Sequence, residues 1–256
     1  MKAVFRSALH CAAFVFALLL FACNSSSDAS SLPNTSETTA ELSPKVVYDS
    51  TMYIGSVKVG FTSLPLPHYY GYEWVEYNEQ LELELIKDNP GVSRNGWELT
   101  FKVGNRATKT LVDVPYDETR TDYDPIMESV TYHFRGVIKN ANAYQIDAHC
   151  YEYSYSLMLS KLNGDTLKGI GDFSCSTHGT WVLSNNFDLE AQYTPNGLEL
   201  FQKEGNRYQR IGRKLLESWG VTSATWLNDS VVRLRTATFD EAWNQRFTFV
   251  DMTILE

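Results

Sequence analysis

Beyond Val46 the chain alternates apolar and polar residues one for one, which is the period of a strand with one buried face. Trp97, Leu99, Phe101 and Val103 alternate with Glu98, Thr100 and Lys102. Leu81, Leu83 and Leu85 alternate with Glu82 and Glu84, and Phe187, Leu189 and Ala191 with Asp188, Glu190 and Gln192. Turn-forming pairs fall between such stretches, at Gly104–Asn105, Asn163–Gly164, Asn196–Gly197, Gly205–Asn206 and Asn228–Asp229. Only residues 213–219 and 239–244 read as short helices. The pattern predicts an all-β region over 46–256, either an antiparallel β-sandwich or an up-and-down β-barrel.

One segment recurs. The run from Asn95 to Arg106 aligns without a gap on the run from Asn196 to Arg207, with eight of twelve residues identical. Upstream, residues 81–85 parallel 187–191; downstream, Ser129–Val130 and Ser230–Val231 each open an apolar-alternating strand. Two readings stand. Either the chain carries duplicated β modules at 46–140 and 180–256, joined by a hairpin at 144–176, or tight hairpins have converged on the glycine and asparagine that a positive φ favours.

The first 22 residues have the parts of an export signal: Lys2 and Arg6, an apolar stretch from Cys11 to Phe21, and a small Ala22. The apolar stretch is too short to span a bilayer as a helix. Leu20, Phe21, Ala22 and Cys23 resemble the lipobox of bacterial lipoproteins. That resemblance implies cleavage before Cys23, a diacylglycerol on its sulfur and, with Asn24 next, residence in the outer membrane of the cell envelope. Residues 23–45 then form a lipidated, Ser/Thr-rich tether too poor in large apolar side chains to fold.

The whole chain carries 22 Lys and Arg against 31 Asp and Glu, a formal charge of −9, and losing Lys2 and Arg6 with the leader makes it more acidic. Nucleic acid is excluded as a partner, because binding it requires clustered Lys and Arg. With Cys11 removed and Cys23 lipidated, Cys150 and Cys175 remain in an oxidising compartment, where a disulfide is the default. Closing a loop of about 25 residues would stabilise the fold by roughly 3 kcal/mol. The register resists it: a two-residue turn at Asn163–Gly164 places Cys175 opposite Glu152, so a longer turn or a bulge near Gly169 or Gly171 has to shift the pairing by two residues. The rival zinc reading, from His149, Cys150, Cys175 and His178, suffers because adjacent strand residues point to opposite faces; neither a metal nor another cofactor is expected.

Tyr70, Tyr72 and Trp74 project from one face of an extended chain and form a candidate platform for sugar rings, the alternative being core packing. Tyr151, Tyr153 and Tyr155 raise the same two alternatives. Asp113, Asp117, Glu118, Asp122 and Asp124 read as a solvated acidic loop lacking EF-hand spacing, and His133 as a solvent-facing strand residue. No nucleophile elbow, phosphate loop, dinucleotide fingerprint or zincin helix occurs. The expected function is therefore a lipid-anchored envelope protein that binds a ligand or a partner without catalysis. A glycan-binding lipoprotein and an envelope hydrolase without a recognisable motif are the alternatives.

Overall fold

A computed structural model describes residues 49–64, 79–116 and 129–255. The fold is all-β, with a single helix among the described residues. A first hairpin, β1 (Ser50–Ile54) and β2 (Val57–Ser63), precedes helix α1 (Glu79–Lys87) and the meander β3 (Val92–Asn95), β4 (Glu98–Val103) and β5 (Ala107–Val112). A second meander comprises β6 (Thr131–Ile138), β7 (Ala143–His149), β8 (Ser154–Ser160) and β9 (Thr166–Gly169). A third comprises β10 (Asp172–Cys175), β11 (Trp181–Asn186), β12 (Gly197–Glu204) and β13 (Arg207–Leu215). The chain ends in β14 (Gly220–Trp226), β15 (Val231–Phe239) and β16 (Gln245–Leu255).

These strands make four open antiparallel sheets: sheet I in the order β1-β2-β16-β15-β14, sheet II from β10 to β13, sheet III from β6 to β9 and sheet IV from β3 to β5. Among the described residues none closes on itself, which fits the sandwich reading rather than the barrel. The N-terminal hairpin completes the sheet of the C-terminal strands, with Phe61 opposite Met252 and Val59 opposite Ile254. Segments 46–140 and 180–256 therefore share sheet I.

Three cores separate the four sheets. Ile54, Val59, Phe61, Val232, Leu234 and Met252 of sheet I pack on Leu183, Leu198 and Leu200 of sheet II. The opposite face of sheet II, through Phe173, Val182 and Phe201, packs on Ala143 and Met158 of sheet III. The far face of sheet III, through Tyr144, Ile146, Leu157 and Leu159, packs on Leu99 and Phe101 of sheet IV, with Leu85 and Ile86 of α1 against this core. Sheet II is thus an inner layer covered on both faces. This is why β12 is buried at every position from Gly197 to Phe201, Glu199 included.

Several sequence expectations change. Residues 81–85 are helical rather than a strand: α1 turns Glu82 inward and leaves Leu83 exposed, as fits a run of Glu, Gln and Leu, all good helix formers. Residues 187–191 form no strand, and neither expected helix exists, since β13 runs through Leu215 and residues 240–244 are a turn. Trp97 stands exposed in the turn before β4. Asp113 is buried rather than solvated: Arg94 donates to Asp113 Oδ2 at 2.9 Å and to Glu82 Oε2 at 2.9 Å, and the backbone N–H groups of Tyr132 and Phe134 donate to the same two carboxylates. Although burial alone lowers the Arg94 guanidinium, Glu82 and Asp113 outweigh it and hold the group above its ordinary value. His133 is half-buried rather than solvent-facing, its ring 5.1 Å from that of His149. Burial, then His149, depress its imidazole.

Candidate ligand-binding cleft

Cys150 and Cys175 are unbonded, and the register explains why. The β8–β9 turn is longer than two residues: Leu159 faces Thr166 and Ser156 faces Gly169. Continued for six more residues, that register would set Cys150 against Cys175. It does not continue. Cys150 lies in the turn between β7 and β8, where its N–H donates to the Tyr153 carbonyl at 2.8 Å. After Gly169 the chain leaves sheet III and enters sheet II at Asp172. A Cβ on Gly169 would collide with Phe173 and Ser184, and one on Gly171 with the Asn185 carbonyl, so the crossing requires both glycines. The Cys175 Sγ instead lies 3.8 Å from the Tyr208 hydroxyl, and burial raises its thiol pKa. Among the described residues no three His, Cys, Asp or Glu side chains gather closely enough to hold a metal ion.

Cys23 and the platform Tyr70, Tyr72 and Trp74 lie outside the described residues. The second tyrosine set divides: Tyr151 is exposed and stacks on Tyr116 at 5.3 Å, whereas Tyr153 and Tyr155 are partly buried and stack on each other at 6.2 Å. Lys168 Nζ sits 3.5 Å from the Tyr155 ring centre.

The two similar segments converge on one place. Each forms a hairpin, β4–β5 around Gly104 and β12–β13 around Gly205, although Val103 faces Ala107 in the first and Glu204 faces Arg207 in the second, one residue tighter. Both hold the β8–β9 turn. From sheet IV the Gly104 N–H donates to the Lys161 carbonyl at 2.7 Å and Lys109 Nζ to the Gly164 carbonyl at 3.1 Å. From sheet II, Arg207 Nε pairs with Asp165 Oδ2 at 2.7 Å.

Beside that turn the core between sheets II and III opens to solvent as a cleft of about 360 Å³, within the range of small-molecule sites. Ala143, Met158 and Leu167 give it an apolar floor, and Tyr208 one wall, its hydroxyl fixed by donating to the Gly179 carbonyl at 2.8 Å. Burial, then the neighbouring Cys175, raise the Tyr208 phenol well above its ordinary value, so it stays protonated. Lys203, Asn206 and Arg207 form an exposed polar rim. The Arg207–Asp165 pair has side chains 74% and 45% exposed, and exposed pairs of this kind contribute at most about 1 kcal/mol. A ligand anion can therefore replace Asp165 at little cost. The arrangement suits an apolar body under a negative group; Ser160 and Thr166, the hydroxyls lining it, are engaged by backbone N–H groups and by Lys109 respectively.

Sequence reasoning singled out the segment containing Lys203 and Arg207 as a repeat but missed their place at the rim of a cleft. The signal was two cations flanking a Gly–Asn turn. Comparison with protein-family models, with curated proteins and with solved structures returns no match.

Proposed function

We propose that the protein is a lipid-anchored component of the bacterial cell envelope, held by Cys23 at the outer membrane, whose β domain binds a small anionic ligand with an apolar body and carries out no chemistry on it. The observation that carries the ligand reading is the cleft between sheets II and III, with Met158 and Leu167 at its floor and Lys203 and Arg207 at its rim. Two cations near an apolar pocket attract a carboxylate or a similar anion, and desolvation of the apolar body supplies affinity at roughly 25 cal/mol per Å² removed from water. The lipobox-like Leu20–Cys23 supports the anchor, since two or three acyl chains hold a soluble domain stably on a membrane.

Calorimetric titration of the full-length protein with octanoate tests the ligand class. Saturable binding, weakened at least about tenfold by the double change Lys203→Ala and Arg207→Ala, is the expected result. Binding equal to that of neutral octanol would remove the anionic requirement. Cys23→Ala should shift the protein from the membrane fraction to the soluble one.

A further inference from the structure

We propose that a second cleft, on the inner face of sheet I, binds a neutral, hydroxyl-rich ring such as one unit of a saccharide. This goes beyond the anion-binding reading and rests on different residues. The cleft has a volume of about 320 Å³ and is built from four adjacent strands and the segment before β14. Ser50 comes from β1, Phe61 and Ser63 from β2, Thr248 from β16 and Thr236 from β15. Thr236 faces Thr248 while Ser63 faces Val250, so the hydroxyls share one sheet face with an apolar residue between them. Trp219 closes one side, set edge-on to Phe61 with ring centres 6.1 Å apart.

Three ligand classes can be weighed against this lining. A charged ligand would lose its hydration in a cleft whose described lining has no charged side chain, a cost of several kcal/mol without a counter-charge. A purely apolar ligand would cover the Ser50, Ser218 and Thr238 hydroxyls without offering them partners. A neutral ring bearing hydroxyls satisfies both constraints, because each Ser or Thr hydroxyl both donates and accepts, and the ring's C–H face covers an aromatic side chain.

The local hydrogen bonds prepare the lining for such a ligand. The Ser63 N–H donates to the Asp49 carboxylate at 2.6 Å. The Ser63 hydroxyl also donates to that carboxylate, and the two bonds hold Asp49 below the ordinary carboxylate range. With its proton directed at Asp49, the Ser63 oxygen presents lone pairs to a ligand. The Thr236 hydroxyl donates to the Thr248 carbonyl at 3.4 Å and lies 2.7 Å from the Thr248 hydroxyl, so Thr248 donates to Thr236 and its own oxygen keeps lone pairs for an outside donor. Acceptor positions at Ser63 and Thr248 thus lie on neighbouring strands, and the Ser50, Ser218 and Thr238 hydroxyls of the same lining can donate, which suits the hydroxyls of a sugar.

The test uses the full-length protein and follows tryptophan fluorescence during titration with glucose, galactose, mannose and N-acetylglucosamine and with short oligomers of each. Glucuronate serves as the charged control and cyclohexane-methanol as the apolar one. At least one neutral sugar is expected to saturate the signal, with the charged and apolar controls at least about tenfold weaker. Thr248→Val and Ser50→Ala, both at solvent-exposed positions, should each weaken binding about fivefold to tenfold, the loss of one or two hydrogen bonds. The melting temperature should be unchanged in Ser50→Ala and slightly lowered in Thr248→Val, which also takes a partner from buried Thr236. The change Lys203→Ala with Arg207→Ala should leave sugar binding intact, separating this site from the anion cleft. No saturable response to any neutral sugar, glucuronate binding as tight as the neutral sugars, or undiminished binding in both cleft variants would each overturn the proposal.

Discussion

The carboxylate of Glu199 receives the backbone N–H of Ile170 at 3.0 Å, at the point where the chain passes from sheet III into sheet II. Arg210 and Arg213 reach the other oxygen at 3.2 and 2.8 Å, so a fully buried charge is neutralised from the sheet edge. Glu199→Ala should destabilise the domain by about 1–3 kcal/mol, because it leaves the buried Ile170 N–H unpaired, while Arg210 and Arg213, 56% and 40% exposed, can turn to solvent. Glu199→Gln keeps an oxygen acceptor for Ile170 and should cost less. Urea denaturation of the three proteins ranks them.

The crossing also settles the thiol chemistry. The protein should release two reactive thiols at Cys150 and Cys175 when denatured without reductant. Folded, Cys175 should react slowly with a neutral disulfide reagent, since burial raises its pKa and the thiolate is the reactive form. Mass spectrometry after alkylation, with and without prior reduction, checks this; a mass difference equal to one bridge between Cys150 and Cys175 would contradict it.

Asp188 and Asp172 should contribute to acid sensitivity with opposite signs. Burial raises the Asp188 pKa, but hydrogen bonds from Thr194 and Gln192 outweigh it and hold the group below the ordinary value. Its stabilisation is present above the unfolded pKa of about 3.9 and is lost as pH falls through the folded one. Crowding by surrounding protein atoms and then the neighbouring Asp147 raise Asp172, against the opposing pull of Arg135 and Gln145; the residue itself stands at a solvent-exposed position, so solvent screening keeps the effect small. Its folded form holds the proton more tightly, so stability falls as pH rises from the unfolded value through the folded one. Asp188→Asn should flatten the acid limb of a stability–pH curve measured from pH 2 to 7. Asp172→Asn should remove the small fall in stability that this group adds as pH rises.

Helix α1 gives a test that separates it from the strand read there from sequence. Leu83 is 48% exposed, so Leu83→Lys should change stability by no more than about 0.5 kcal/mol. Glu82 is 2% exposed and holds Arg94, so Glu82→Ala should cost about 3–5 kcal/mol. A strand with its leucines inward would give the reverse order in thermal melts.

What the sequence displayed depended on how many faces each strand covers. Strand β4 was legible because one face is buried: Leu99, Phe101 and Val103 point inward while Glu98 and Lys102 stay out. Strand β12 was only partly legible, because an inner layer buries both parities and Glu199 looked like a surface residue until its arginines came into view. The Leu–Glu alternation of 81–85 was compatible with period two, yet the sequence held no sign that Arg94, on another element, would draw Glu82 inward. The cleft was hidden for a similar reason. Lys203 and Arg207 look like ordinary solvated charges, and only the stacking of sheet II on sheet III brings them beside Met158 and Leu167.

The pairing of β2 with β16 governs when this domain can finish folding. Nearly the whole described chain separates Phe61 from its partner Met252, and contacts so distant in sequence are made late. In a chain that forms its amino-terminal elements first, β2 keeps one edge open until β16 is in place. Assembly of sheet I therefore waits for β16, and during that wait the bare edge of β2 is where a second chain would add by mistake.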